Sequence, residues 1–146
     1  MAGDPCAGDP DQEAARIAEQ RAHGAVAVVT PACFDVELLD RFLTALGGDV
    51  PVIVGLLPLR SAEHADFLHH EVPGIRIPDP LRERLRTASD PVAVGLELAR
   101  ETLAQLPDRA AGVHVTAPYR KSERARSVIG DLGLDAVSGI SLAASG

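Results

Sequence analysis

Aromatic residues are nearly missing from this chain: three Phe, one Tyr and no Trp in 146 residues. Basic charge is also short, with 14 Lys and Arg against 21 Asp and Glu and a net charge of −7. A nucleic-acid-binding surface needs a basic patch and stacking platforms, so the composition argues against that class. Only two cysteines occur, Cys6 and Cys33, too few for a disulfide framework and not spaced as a zinc pair. No apolar run is long enough for a bilayer; the longest, PVIVGLLPL at 51–59, holds two prolines. The N-terminal MAGDPCAGDPDQE has neither the basic flank nor the apolar stretch of a signal peptide, and the expectation is a soluble, cytoplasmic protein with no membrane partner. There is no G-x-G-x-x-G, no P-loop and no G-x-S-x-G elbow. What remains is 46% hydrophobic residues and 24% charged ones, enough for a core of Ala, Val, Leu and Ile. The length suits one domain or a piece of a larger one.

Residues 1–9, rich in Gly, Asp and Pro and without periodicity, read as a disordered leader. A helix is expected from Pro10–Asp11 to Gly24, with Ala14, Ile17, Ala18 and Ala22 on one face. AVAVVT (25–30) reads as a strand and PACF (31–34) as the loop after it. Asp35 is placed to cap a helix whose Val36, Leu39, Phe42 and Leu46 recur at three- and four-residue steps. PVIVG (51–55) reads as a second strand, Ser61 as the cap of a helix to about Glu71, and 80–88 as a short helix. Asp90–Pro91 starts another helix, with Val92, Leu96, Ala99, Leu103 and Leu106 as its stripe. GVHVT (112–116) is the third strand and Ser122–Ile129 a last helix; the tail, 131–146, is unassigned.

Strands alternating with helices imply parallel pairing through right-handed crossovers, an α/β fold. AVAVVT and PVIVG are apolar on both sides, as strands covered on both faces are. Two architectures satisfy that pattern. One is a small doubly wound sheet; the other is part of a (β/α)8 barrel, helices outside and side chains or a ligand inside.

Three segments bear a family resemblance. VTPACFDVELLDRFL (29–43) resembles the ITQ-x-x-FD-x-x-x-x-x-RF stretch of methylenetetrahydrofolate reductases. VPVIVGLLPLRSAEHADFLHHEVPGIRIPDPLRERL (50–85) is similar to their P-I-x-x-G-I-x-P segment and its sequel, especially in the form fused to homocysteine S-methyltransferase, where a phrase like A-E-F-L-H-N-E-V-P-G-I occurs. GVHVTAPYRKSE (112–123) is similar to the family's last strand and loop, G-[LIV]-[HY]-[FL]-x-T-P-[FY]-x-R. The resemblance implies a partial (β/α)8 TIM barrel over residues 10–130, with about three parallel strands equivalent to strands six to eight and outer helices. It implies an oxidoreductase of one-carbon and methionine metabolism. In it NAD(P)H reduces FAD, and the flavin passes hydride to 5,10-methylenetetrahydrofolate, yielding 5-methyltetrahydrofolate. The family's catalytic Glu and most flavin contacts lie on strands one to five. This chain is therefore expected to carry no catalytic residue of its own and to need a second copy or a second chain to complete the barrel. A non-catalytic barrel remnant, acting as a structural or regulatory subunit, is the other reading.

Residue by residue, the resemblance implies a folate-facing set of His64, Leu68, Thr116 and Arg120. His64 and Leu68 stand where the family has a Gln and a Phe one turn apart, with Phe67 adjacent. Thr116 stands where many members have Tyr, and Arg120 matches the family's Arg. Pro31 replaces the pterin-binding Gln and has neither an amide side chain nor an N–H donor. Gln20 replaces a Lys that touches the flavin phosphates. Each of these signals also has a plainer reading. Arg120 suits an exposed first helical turn. His64, His69 and His70 lack the spacing of a metal pair and suit surface or capping roles. His114, alternating with Val113 and Val115, reads as a core histidine, Cys33 as a small loop residue without a positive neighbour, and RERLR (82–86) as a solvated helix face.

Overall fold

A computed structural model describes residues 1–116. Its elements run α1 (Pro10–Ala22), β1 (Val28–Ala32), α2 (Val36–Leu46), β2 (Val52–Leu56), α3 (Ala62–Glu71), α4 (Asp79–Thr87), α5 (Pro91–Ala104) and β3 (Gly112–Val115). The expected helix at Ser122–Ile129 and the tail lie outside the described residues. The strands form one parallel sheet in the order β1-β2-β3. Sequential parallel strands in chain order, linked through helices, are the arrangement of a barrel wall, and the fold is a partial TIM barrel.

Caps set the helix starts. Asp9 accepts the N–H groups of Asp11 and Gln12 before α1, Asp35 those of Glu37 and Leu38 before α2, and Asp90 that of Ala93 before α5. Each satisfies donors that the first turn leaves unpaired. Alternation along the strands then sorts the core. Val28, Val52, Val54, Leu56 and Val113 point to one face and pack with Ile17, Leu39, Phe42, Leu43 and Leu46 from α1 and α2. Val29, Ile53 and His114 point to the other face; Val29 is 38% exposed, and Ile53 and His114 are half-buried. A second cluster, beyond the strand ends, joins Phe34 and Leu59 to α3, α4 and α5 through Ala65, Leu68, Ile77, Leu85 and Leu98.

Several expectations need correction. β1 does not run over 25–30; it starts at Val28, because Ala27 gives its carbonyl to the Met1 amino group and Val28 is the first to bond across to Pro51. It continues through Pro31 and Ala32, where the register with β2 shifts between Val29 and Ala32. Proline is tolerated at such a bulge, since the strand there needs one fewer N–H. The leader is not disordered. Ala2 bridges Val29 in parallel, Val29 N–H donates to Met1 and Gly3 N–H to Val29. The segment is thus a short extra strand beside β1. Gly3 has no room for a side chain: a Cβ would lie 2.5 Å from Val28 and 2.9 Å from Phe42. On α1, Ile17 is buried while Ala18 and Ala22 are exposed. On α5 the expected stripe holds in part: Ala99 is buried and Leu103 and Leu106 pack on the first core, but the other fully buried positions are Gly95, Leu98 and Thr102, because Gly95 lays the helix backbone directly on the Leu59 carbonyl.

Candidate functional site

Parallel strands put all their C-terminal ends at one edge of the sheet, where barrel proteins assemble their sites. At the end of β1 the bulge is held by Thr30. Its hydroxyl accepts the Gly55 N–H at 3.0 Å and donates to the Pro31 carbonyl at 2.9 Å. Pro31 follows, then Cys33, whose N–H donates to the Gly55 carbonyl. The Cys33 thiol is buried and donates to the Asp35 carbonyl; burial pushes its pKa up to about 12. At neutral pH it is a packed thiol and no nucleophile.

After β2 the chain turns through Leu57–Arg60 into α3. The Ser61 hydroxyl accepts the His64 N–H at 3.1 Å, and His64 Nδ1 accepts the Arg60 N–H at 3.3 Å. Burial first, and the Arg60 charge second, lower the imidazole pKa, so the ring is neutral at pH 7. With Nδ1 accepting, the neutral ring carries its proton on Nε2, which is left as a donor. Leu68 sits one turn further along α3 but is 8% exposed and belongs to the second core. Of the expected His64–Leu68 pair, Leu68 thus packs into the second core while the His64 ring is half-buried at the start of α3. The apolar side chain that α3 presents outward is Phe67, 58% exposed.

β3 ends at Val115, and the Thr116 N–H donates to the Leu56 carbonyl at 2.9 Å. This places exposed Thr116 beside the end of β2. Arg120 lies outside the described residues. His114 is opposite Gly55 in the register, on the face turned away from α1 and α2. It is half-buried there rather than enclosed in a core.

A further group gathers at the ends of β1 and of the Met1–Gly3 segment. The loop between α3 and α4 folds back until a Cβ on Gly74 would lie 3.3 Å from the Pro31 ring and 3.4 Å from the Asp4 carboxylate. Under it is a cavity of about 330 Å3 bounded by Cys6, His69 and the loop through Arg76. Sequence reasoning missed Asp4, Cys6 and Gly74, whose neighbours in sequence show no periodicity. Among the described residues, no three His, Cys, Asp or Glu side chains are grouped to hold a metal ion. No helix among them is long and apolar enough to cross a membrane.

The family model for methylenetetrahydrofolate reductase matches residues 2–133. The chain belongs to the methylenetetrahydrofolate reductase family. Among solved structures, it is similar to an uncharacterized protein from Clostridium thermocellum, described as binding two copies of 5-methyl-5,6,7,8-tetrahydrofolic acid. The two share 22% identity and superpose with a TM-score of 0.61, over 81% of this chain and 46% of that one. The likeness carries the fold, and this chain spans under half of that neighbour's length. No curated protein matches the sequence significantly.

At the strand ends, His64 is held by the Arg60 N–H and the Ser61 hydroxyl. Pro31 offers no donor and is covered by Gly74. Gln20 lies in the last turn of α1 and gives its carbonyl to the Ala25 N–H just before β1. That is the edge of the sheet opposite the strand ends.

Proposed function

We propose that this chain holds a reduced folate at the C-terminal ends of β1, β2 and β3, as the folate-binding side of a methylenetetrahydrofolate reductase-type barrel. The observation that carries this reading is the His64 ring. Its backbone tether to Arg60 leaves a neutral, oriented Nε2–H at the strand ends, the kind of donor that a pterin or amide oxygen accepts. Thr116 supplies a hydroxyl at the neighbouring strand end, and Arg120 a cation for the folate's carboxylates. Exposed Phe67 offers an apolar ring near His64. The folate named for the Clostridium thermocellum protein supports the same ligand class.

The family implies FAD and NAD(P)H as well. The residue that the resemblance sets in place of the flavin-phosphate lysine is Gln20, which carries no charge. The reading gives this chain the folate side only. The flavin side falls to a further barrel segment, in a second copy or another chain, and reductase activity by this chain alone is not expected. Within the family, the phrase AEHADFLHHEVPGI (62–75) favours kinship with the reductase part fused to homocysteine S-methyltransferase.

Titration of the purified chain with 5-methyltetrahydrofolate by calorimetry, with and without FAD, tests the reading. Saturable binding is expected, weakened about ten-fold by His64→Ala, the loss of one hydrogen bond. Absence of binding, or binding indifferent to His64→Ala, overturns it in favour of a structural or regulatory subunit. FAD bound by the chain alone, with NADH oxidation, overturns the division of labour.

A further inference from the structure

We propose that residues 72–78 form a lid over the strand ends, latched at neutral pH by the His69 imidazole and released by acid. This rests on the reading of those strand ends as a folate site and adds to it a means of control.

The latch is one hydrogen bond. His69, near the end of α3, accepts the Ile77 N–H on Nδ1 at 3.0 Å. Ile77 is fully buried in the second core, so the far end of the loop is anchored where that bond is made. Between the two anchors the chain turns through Gly74, at φ +78°, and its backbone rests on the Pro31 ring and the Asp4 carboxylate. The loop thus lies over the ends of β1 and the Met1–Gly3 segment, and an open cavity lined by Cys6, His69 and the loop runs beside it.

Only an imidazole without a proton on Nδ1 can accept this bond. The imidazolium has donors on both nitrogens and would set N–H against N–H at Ile77. The groups around the ring oppose that proton at neutral pH. Arg82 faces it from α4 and Arg76 from the loop, and His70 stacks edge-on at 4.7 Å; Asp79, also on α4, is the one acidic group acting the other way. Burial is the largest cause and the cations add to it, so the ring's pKa falls below the usual histidine value. The latch is therefore whole at pH 7 and lost as the pH falls below the ordinary histidine range. Unlatching leaves the Gly74 turn held by the Val72–Ile75 bond at 3.3 Å, by the Arg76 N–H on Cys6, and by the packing of Val72 and Ile75 on the second core, so release is a local opening at Ile77.

Amide hydrogen exchange on the full chain, corrected for intrinsic rates, tests this at Ile77. In the wild type, protection at Ile77 is expected to fall about ten-fold or more between pH 7.5 and about pH 5, the loss of one hydrogen bond. His69→Asn, which offers a neutral acceptor near the Nδ1 position, keeps the protection at both pH values. His69→Ala lacks it at both. At a fixed pH 7.5, His69→Ala also speeds thiol labelling of Cys6 but not of Cys33. Protection at Ile77 that ignores pH, or that titrates equally in His69→Asn, overturns the lid. Binding of 5-methyltetrahydrofolate is a separate arm. If Ile77 titrates with His69 while no folate binds at either pH, the lid stands and the folate reading alone falls.

Discussion

Glu13 shows how one side chain ties a segment of low apparent structure to the fold. It is 9% exposed, accepts the Asp4 N–H on Oε1 at 2.9 Å, and takes the Arg16 guanidinium on Oε2 at 2.7 Å. Arg16 in turn donates to the Ala2 carbonyl. The hydrogen bond from Arg16, more than the Asp4 N–H, lowers the carboxyl pKa against the opposing effect of burial. A carboxylate whose pKa is lower in the folded state stabilises the fold above its unfolded value, about 4.3 for Glu. That contribution is lost as the pH falls through the lower folded value. Glu13→Gln keeps an acceptor for Asp4 but gives up the charge. It should cost about 1 kcal/mol at pH 7, a figure for one charge-assisted bond partly open to water. The same variant should lose less than the wild type on acidification below about pH 4. Urea unfolding at the two pH values checks both; equal acid sensitivity would show that Glu13 does not hold the segment. None of this was legible in the sequence. Met1 finds its partner 26 residues away, and three residues are too few to show a strand's alternation.

At the scale of elements, the sequence is most legible where the signal is local. Asp35, Ser61 and Asp90 were readable as caps because each acts within three residues of itself. The burial of α5 was readable only in part. Its apolar residues suggest the stripe through Val92, Leu96, Ala99, Leu103 and Leu106, of which Ala99 is buried and Leu103 and Leu106 pack on the core, but a close approach between backbones adds Gly95, Leu98 and Thr102. A Cβ on Gly95 would lie 1.8 Å from the Leu59 carbonyl oxygen. Glycine usually weakens a helix by about 1 kcal/mol relative to Ala, so its presence here reports a steric demand. Gly95→Ala should destabilise by roughly 1–3 kcal/mol in spite of the gain in helix propensity, as overpacking does. Gly112→Ala, where a Cβ meets nothing within 4 Å, should stay within about 0.5 kcal/mol, the range of an uncrowded site. Thermal unfolding of the pair separates crowding from backbone effects. The bulge in β1 was hidden for a similar reason. Pro31 looked like the end of a strand, whereas the Thr30 hydroxyl replaces the missing ladder bond to Gly55.

For the molecule as a whole, the two faces of the sheet carry the same kind of residue under different cover. Val28 is fully buried beneath α1 and α2, while its neighbour Val29, on the other face, is 38% exposed. Composition alone could not tell these apart, because both sides of β1 are apolar. That ambiguity kept a doubly wound sheet open beside the barrel until the packing was known. The difference makes a direct prediction. Val28→Ala removes buried methyl groups and should cost about 2 kcal/mol. Val29→Ala should cost less than about 0.5 kcal/mol if the chain unfolds as a single copy, since little area is lost there. A barrel-completing partner changes only the second number. With the inner face covered by a second copy, Val29→Ala becomes costly as well, and its cost grows with protein concentration, because binding to the folded state adds stability by mass action. Unfolding of both variants at two concentrations a hundred-fold apart reads this out. A Val29→Ala penalty that is small and independent of concentration would mean that this face meets water in the isolated chain. A penalty that climbs with concentration would identify the copy that closes the wall.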